Sequence, residues 1–310
     1  MSLEELFNFP QYTLDKEKKD KYFLPLIIEK LEFHQKRCEK FNNILLSLNF
    51  SKESVKSFAD LPFLPVRLFK NLTLKSIKDE EIYKILYSSG TTSQNVSKIY
   101  LDTTTASHQT KALTSIITSF IGNQRLPMVV VDTKSTLRNK NEFSARAAGI
   151  LGLSNFGRNH SYILDDKMNI DVNLLKDFVN KNKGKRILFF GFTFMIWQYL
   201  IEKLKKEKLY LEIPEGILIH SGGWKKLESL NISDEIFKEN IEEFLGIRKV
   251  YNFYGMVEQV GAIYMECELG YFHVSNLSEI IIRSQDDLSV LSIGKEGVIQ
   301  TISVLPTSYP

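Results

Sequence analysis

Between residues 80 and 255 the chain repeats one pattern: a short apolar run, a small-residue turn, then an amphipathic stretch of helical period. The runs fall at 82–87, 98–101, 128–131, 186–190, 217–220 and 250–253. Helical periodicity occupies 107–120, 141–151, 174–179 and 194–204, and a last helix runs from a Ser233 cap through Ile236, Ile241 and Phe244 to Gly246. Strands separated by helices cannot pair as hairpins, so most of them must return in parallel. The expected fold is α/β, with mixed, mostly parallel sheets covered by helices.

The flanks read differently. Residues 1–75 form an N-terminal helical segment, with Leu24, Ile27, Ile28, Leu31, Cys38, Phe41 and Leu45 at helical spacing. Asp60-Leu61-Pro62-Phe63-Leu64-Pro65 is a proline-punctuated connector. Residues 76–265 make the α/β core. From 266 to 310, the runs at 271–274, 279–283 and 298–304 alternate without helices, and Gly294-Lys295-Glu296-Gly297 suits a hairpin turn. An antiparallel sheet or partial barrel is expected there.

In open α/β sheets, ligands bind outside the carboxyl ends of the strands. Several expected strands end there in glycine or small hydroxyl residues, at Ser88, Gly191, Ser221 and Tyr254. Several such turns on one sheet edge point to a shared crevice.

Composition narrows what enters it. A net charge of +3, with acidic residues interleaved among the lysines, provides no concentrated basic face for nucleic acid. The two cysteines, Cys38 and Cys267, lie far apart with no His/Cys cluster, which argues against a zinc ribbon or a disulfide framework. Cys38 reads as a small buried hydrophobe and Cys267 as structural. No apolar run approaches the ~18–20 residues of a membrane span, so no stable membrane insertion is expected. The start is acidic rather than signal-like, and the cytoplasm is the expected compartment.

The most informative stretch is Ser88-Ser89-Gly90-Thr91-Thr92-Ser93, followed by Lys98. Consecutive hydroxyls and glycine-freed N–H groups are what a polyphosphate requires of a protein, and Lys98 adds a positive charge. A solvated hairpin loop fits the same composition. The stretch is not a P-loop, because no Gly-Lys-Ser/Thr opens a helix. Ser221-Gly222-Gly223-Trp224 follows a buried strand. A glycine pair lets a flat ring lie against the backbone, though the same residues serve a plain strand-to-helix turn, with Trp224 in the core. In Tyr251-Asn252-Phe253-Tyr254-Gly255-Met256-Val257-Glu258, Tyr254 offers a stacking face and Asn252 an amide edge for a base. Glu258 offers a hard oxygen for Mg2+. His220 is the histidine nearest the crevice and reads as a hydrogen-bonded structural residue rather than a base.

These motifs resemble the acyl-adenylate-forming superfamily, whose phosphate loop is Ser-Ser/Thr-Gly-Thr-Thr-Gly followed by lysine and whose later signature is Tyr-Gly-x-Thr-Glu. Ser97-Lys98-Ile99-Tyr100-Leu101-Asp102 and the Met-Val-Glu-Gln form are most similar to the LuxE-type acyl-protein synthetases, long-chain fatty acid–luciferin component ligases. Two positions depart: Ser93 stands where glycine is usual, and Val257 stands where a threonine touches the α-phosphate.

The resemblance implies an acid–thiol ligase that uses ATP and Mg2+ to convert a carboxylic acid, a fatty acid in this family, into an acyl adenylate for transfer to a protein thiol. Ser88, Ser89, Gly90, Thr91 and Thr92 would hold phosphate, with Thr91 and Lys98 catalytic. Gly222, Gly223, Trp224, Asn252, Tyr254 and Gly255 would hold the nucleotide, Glu258 the metal, and Phe192 and Phe194 the acyl chain. An acyl-CoA reductase or acyl-carrier protein is the implied partner. Relatives continue past the counterpart of Pro310 into a C-terminal lid region that bears the acyl-accepting cysteine, or in wider relatives a catalytic lysine. The expectation is a chain that binds ATP but adenylates poorly alone. A phenylacetate-type CoA ligase and a non-catalytic binding subunit are the alternatives.

Overall fold

The computed structural model describes residues 2–88, 96–137, 145–224 and 231–310. In chain order the helices are α1 (Leu3–Asn8), α2 (Lys16–Arg37), α3 (Glu39–Ser47), α4 (Thr103–Ile121), α5 (Ala145–Ser154) and α6 (Val172–Lys181). Next come α-helical Thr193–Met195, π-helical Ile196–Ile201 and α-helical Glu202–Glu207, which run on as α7, and then α8 (Asp234–Leu245). The strands are β1 (Lys84–Tyr87), β2 (Lys98–Leu101), β3 (Leu126–Thr133), β4 (Gly157–Leu164), β5 (Ile187–Phe192) and β6 (Gly216–Ser221), followed by β7 (Lys249–Gly255), β8 (Ile263–Glu266), β9 (Phe272–His273), β10 (Ser278–Arg283) and β11 (Val298–Ser303).

The main sheet has the order β4-β3-β5-β6-β7-β8-β9. From β4 to β7 every pairing is parallel, while β8 and β9 pair antiparallel. The parallel strands are apolar on both faces, as β3, β5 and β6 show by their nearly unbroken burial. Two-stranded antiparallel sheets form from β1–β2 and β10–β11. This is the mostly parallel, helix-covered α/β architecture expected, with antiparallel strands toward the end of the chain.

The chain divides into two compact units. Unit 1 gathers Met1–Phe120, Gly255–Tyr264 and Val274–Pro310, and unit 2 gathers Ile121–Tyr254 and Met265–His273. In unit 1, Phe23, Leu31, Cys38, Phe41 and Leu45 of the N-terminal helices pack with Leu101, Leu277, Val304 and Tyr309 in one core. Cys38 is buried as read, but at a break: it caps both α2 and α3 with ψ 96°, so one apolar stripe is carried by two helices. In unit 2, Val129, Phe189 and Leu218 from the sheet pack with Leu200 and Leu204 of α7 and Phe237 and Ile241 of α8. Ser233 accepts the Ile236 N–H as N-cap of α8, and Gly246 ends the helix at φ 67°. Among the described residues no helix is long and apolar enough to cross a membrane.

Candidate functional site

Unit 2 carries one group of the expected site residues. The parallel register sets Gly191, His220 and Asn252 in one row and Phe192, Ser221 and Phe253 in the next, at the carboxyl ends of β5, β6 and β7. In-register residues of parallel strands share a face, so the two rows present their side chains to opposite sides of the sheet.

Hydroxyls fix the turn that follows. The Ser221 hydroxyl donates to the Phe253 carbonyl at 2.8 Å, tying the end of β6 to β7. The Thr193 hydroxyl donates to the Gly222 carbonyl at 2.7 Å and lies 2.9 Å from His220 Nδ1. Gly222 has φ +83°, and a Cβ there would meet Phe192 Cδ1 at 2.9 Å. Left-handed backbone and a ring at its surface both require glycine. Among the described residues a Cβ at Gly223 would meet nothing within 4 Å. Against those residues the backbone beside Gly223 is open, a surface on which a planar ring can lie.

The Phe192 ring sits over Gly222 and Gly149 of α5. Phe194 is partly buried in the first turn of α7. Trp224 stands edge-on to Trp197 and Phe237, with centroids 5.8 Å away in each case. Asn252 is half-buried, and Tyr254 is 44% exposed. Unit 2 thus brings Phe192, Gly222, Gly223, Asn252 and Tyr254 to one strand-end edge.

Unit 1 holds the other expected residues. Ser88 closes the base of the β1–β2 hairpin: its N–H donates to the Ser97 carbonyl at 3.2 Å, and its Oγ accepts the Ser97 N–H at 2.9 Å. Lys98 opens β2 opposite Tyr87 and is exposed. Ser89, Gly90, Thr91 and Thr92 lie outside the described residues. Gly255 ends β7. Glu258 is buried and lines a cavity of about 480 Å³ within unit 1. Leu31, Phe41, Leu61 and Phe69 supply apolar wall, and Lys30, His34 and Arg283 line it too. Glu258 is the acidic residue of that mostly apolar lining.

Asp132 and Glu266, which the sequence reading does not single out, have strong local partners, and so does His220, which it reads as structural. Asp132 at the end of β3 is 2% exposed, yet it accepts from the Thr133 N–H (2.7 Å), the Thr136 hydroxyl (2.7 Å) and Arg146 Nε (2.9 Å), with Arg146 Nη2 also bonded. Glu266 of β8 is 3% exposed; it accepts from Lys238 and from the Asn252 N–H. Burial raises its carboxyl above the ordinary range against the lowering by Lys238. His220 is 1% exposed, and burial pulls its imidazole down to about 3. The signal available for these was a charged residue inside or directly after an apolar run, which usually means a paired group.

Cys267 lies in the β8–β9 connection, where its N–H donates to the Tyr271 carbonyl at 2.9 Å. Thr307 ties the last residues into unit 1, its hydroxyl donating to Asp102 and its N–H to Thr105 Oγ1.

Solved structures with this fold handle acyl adenylates and ATP. 2-Hydroxyisobutyryl-CoA ligase, in a postadenylation state in complex with 2-HIB-AMP, aligns with a TM-score of 0.68 at 15% identity over 96% of this chain and 62% of its own. An open conformation of the same ligase with 2-HIB-AMP and CoA gives 0.67 at 15% identity, covering 96% and 63%. ATP-bound MatB from Rhodopseudomonas palustris gives 0.50 at 13% identity, covering 74% and 41%. The chain thus spans less than two thirds of the length of the ligases it resembles in fold. No curated protein sequence matches it. The family profile described as "Acyl-protein synthetase, LuxE" matches residues 4–310. Matched along nearly its whole length, the chain belongs to the LuxE acyl-protein synthetase family.

Proposed function

We propose that this chain takes part in the ATP-dependent activation of a carboxylic acid, a fatty acid, as an acyl adenylate, for transfer to a protein thiol. The observation that carries the reading is the strand-end edge of unit 2. Gly222 is required by its backbone and by Phe192, Gly223 leaves open space, and the polar Asn252 and exposed Tyr254 lie on the next strand. Such an edge accepts a purine by stacking and by amide hydrogen bonds. Family membership supplies the reaction class.

In that reaction a carboxylate oxygen forms a bond to the α-phosphorus of ATP. The bond from that phosphorus to its bridging oxygen breaks, and pyrophosphate leaves with the electron pair. Mg2+ would supply charge neutralisation on the phosphates. The protein's part is to hold the reactants in line and stabilise charge. In unit 1, Ser88, Ser89, Gly90, Thr91 and Thr92 would bind phosphate, Lys98 would offset the charge that develops, and Glu258 would hold Mg2+. Gly222, Gly223, Trp224, Asn252 and Tyr254 of unit 2 would hold adenine, Gly255 of unit 1 would bind the nucleotide, and Phe192 and Phe194 of unit 2 would flank the acyl chain. An acyl-CoA reductase or acyl-carrier protein would then receive the acyl group. The cytoplasm, where ATP is plentiful, is the proposed compartment.

Acid-dependent pyrophosphate exchange across a series of acids tests this, paired with ATP binding by calorimetry. ATP should bind, exchange by this chain alone should be weak and rise with the length of the fatty acid, and Glu258→Gln should remove the Mg2+-dependent part. An absence of ATP binding, or binding indifferent to Mg2+ and Glu258, would rule the reading out. Radiolabelled acid offered with coenzyme A or with a candidate protein acceptor separates the two thiol classes.

A further inference from the structure

A cluster within unit 2 has chemistry that the activation reaction does not use. One imidazole nitrogen of His220 and one carboxylate oxygen from each of Asp234 and Glu266 lie within 4.8 Å of one another. They come from the end of β6, the first turn of α8 and the end of β8. The tautomer of His220 follows from its neighbours. The Thr193 hydroxyl sends its hydrogen to the Gly222 carbonyl at 2.7 Å, so toward His220 Nδ1, 2.9 Å away, it can only accept. Nδ1 therefore carries the ring proton, and Nε2 presents a bare lone pair. Among the described residues Nε2 has no hydrogen-bond partner, and His220 is 1% exposed.

The other two members are acceptors as well. Glu266 Oε2 takes the Asn252 N–H at 3.1 Å, which leaves Oε1 directed to the cluster. One cation reaches the carboxylates: Lys238 Nζ, 2.5 Å from Asp234 Oδ2 and 2.7 Å from Glu266 Oε1. The ammonium serves both carboxylates and leaves the buried imidazole nitrogen with no donor. A neutral imidazole whose other nitrogen donates a hydrogen bond is the usual posture of a metal-bound histidine.

We infer that His220 Nε2, Asp234 and Glu266 form a binding site for a transition-metal ion of the Zn2+ class, for which Lys238 is the built-in competitor. One imidazole and two carboxylates suit Zn2+, with water as the fourth ligand of a tetrahedron. Two carboxylates and a divalent ion are neutral together, so Lys238 is no longer needed there. Its side chain is 27% exposed and that of Asp234 40%, so these two can move without disturbing the core. Asp234 also gives the ion a path in from solvent. Loading would tie the end of β6 to α8 and β8, holding the Gly222 turn from behind. The proposal does not depend on the reaction assigned to the edge.

The test is metal titration of the whole chain after chelator treatment, read by Zn2+ competition against a chromophoric chelator and by the visible band of Co2+. One equivalent should bind, with the intense Co2+ absorption of four-coordinate geometry. Lys238→Met should tighten binding and Asp234→Asn should weaken it, each by about tenfold or more. Asp234 is half-exposed, so its variant should fold, and a thermal unfolding scan checks this. Glu266→Gln keeps an acceptor for the Asn252 N–H while removing a ligand charge, and it should also weaken binding. No stoichiometric binding, or binding that ignores both Asp234→Asn and Lys238→Met, overturns the assignment.

Discussion

Two adjacent glycines, Gly222 and Gly223, are equivalent in composition and opposite in consequence. Gly222 sits at φ +83° with the Phe192 ring where its Cβ would go, whereas Gly223 faces open space. Gly222→Ala should lower stability by about 1–2 kcal/mol, from the left-handed backbone and the displaced ring together. Gly223→Ala should leave the urea midpoint unchanged while weakening ATP binding, because its methyl group fills space that a ligand ring would use. Calorimetric binding and urea melts on both variants separate the roles, and a Gly223→Ala chain that binds ATP normally would remove Gly223 from the site. The Gly-Gly pair itself was plain in the sequence. Which glycine serves the fold was not, because that depends on Phe192, a residue 30 positions away. His220 was likewise legible as a histidine in a buried run, but its bare Nε2 follows only from Thr193, which the sequence gives no reason to link to it.

At the scale of elements, the apolar runs at 128–131, 186–190 and 217–220 became β3, β5 and β6 because burial on both faces leaves a nearly continuous hydrophobic signature, whereas 250–253, interrupted by Asn252, became the less buried β7. β4 gave no such signature. Its Gly157-Arg158-Asn159-His160 half is mostly exposed at the sheet edge, and Asn159 turns to φ 51°. The π-helical stretch of α7 was also invisible, since its periodicity differs little from an α-helix over one turn. β3 and α5 are joined by Asp132 and Arg146, and this pair yields a prediction. Among the described residues, Arg146→Met leaves a 2%-exposed carboxylate with only the Thr133 N–H and the Thr136 hydroxyl. The loss should be about 2 kcal/mol, below the usual 3–5 for a broken buried pair because Arg146 is partly solvated. Adding Asp132→Asn should recover part of it in chemical denaturation, and a double variant no better than the single would show that the charge is not the cause.

At the scale of the molecule, acid sensitivity has a defined origin in unit 1. Burial and the nearby Lys30 pull the His34 imidazole down from 6.5 to about 4, where it stays neutral beside Ser76. A depressed value means that the unfolded chain takes up a proton the folded one refuses. The stability His34 contributes is full above pH 6.5 and is lost as pH falls toward 4. Between pH 7 and pH 5 this amounts to about 2 kcal/mol. His34→Gln should flatten that part of the stability profile measured by urea midpoints, and an unchanged slope would assign the acid sensitivity elsewhere. The overall α/β class was readable from periodicity alone. The grouping into units was not, because Val274–Pro310 joins the N-terminal helices through contacts that no local pattern encodes.

That grouping sets an order of events during synthesis. Unit 2 draws on chain up to His273, whereas the core of unit 1 includes Leu277, Ile302, Val304, Leu305 and Tyr309. On a translating ribosome, α1 to α3 emerge before unit 2, and their core partners Leu277, Ile302, Val304 and Leu305 are made after it. While unit 2 is being made, the apolar stripe of α2 and α3 therefore lacks its strands, and unit 2 can close as soon as β9 clears the exit tunnel. The stripe from Phe23 to Leu45 is thus made before unit 2 but covered only after it, and through that interval it is a natural client for a chaperone.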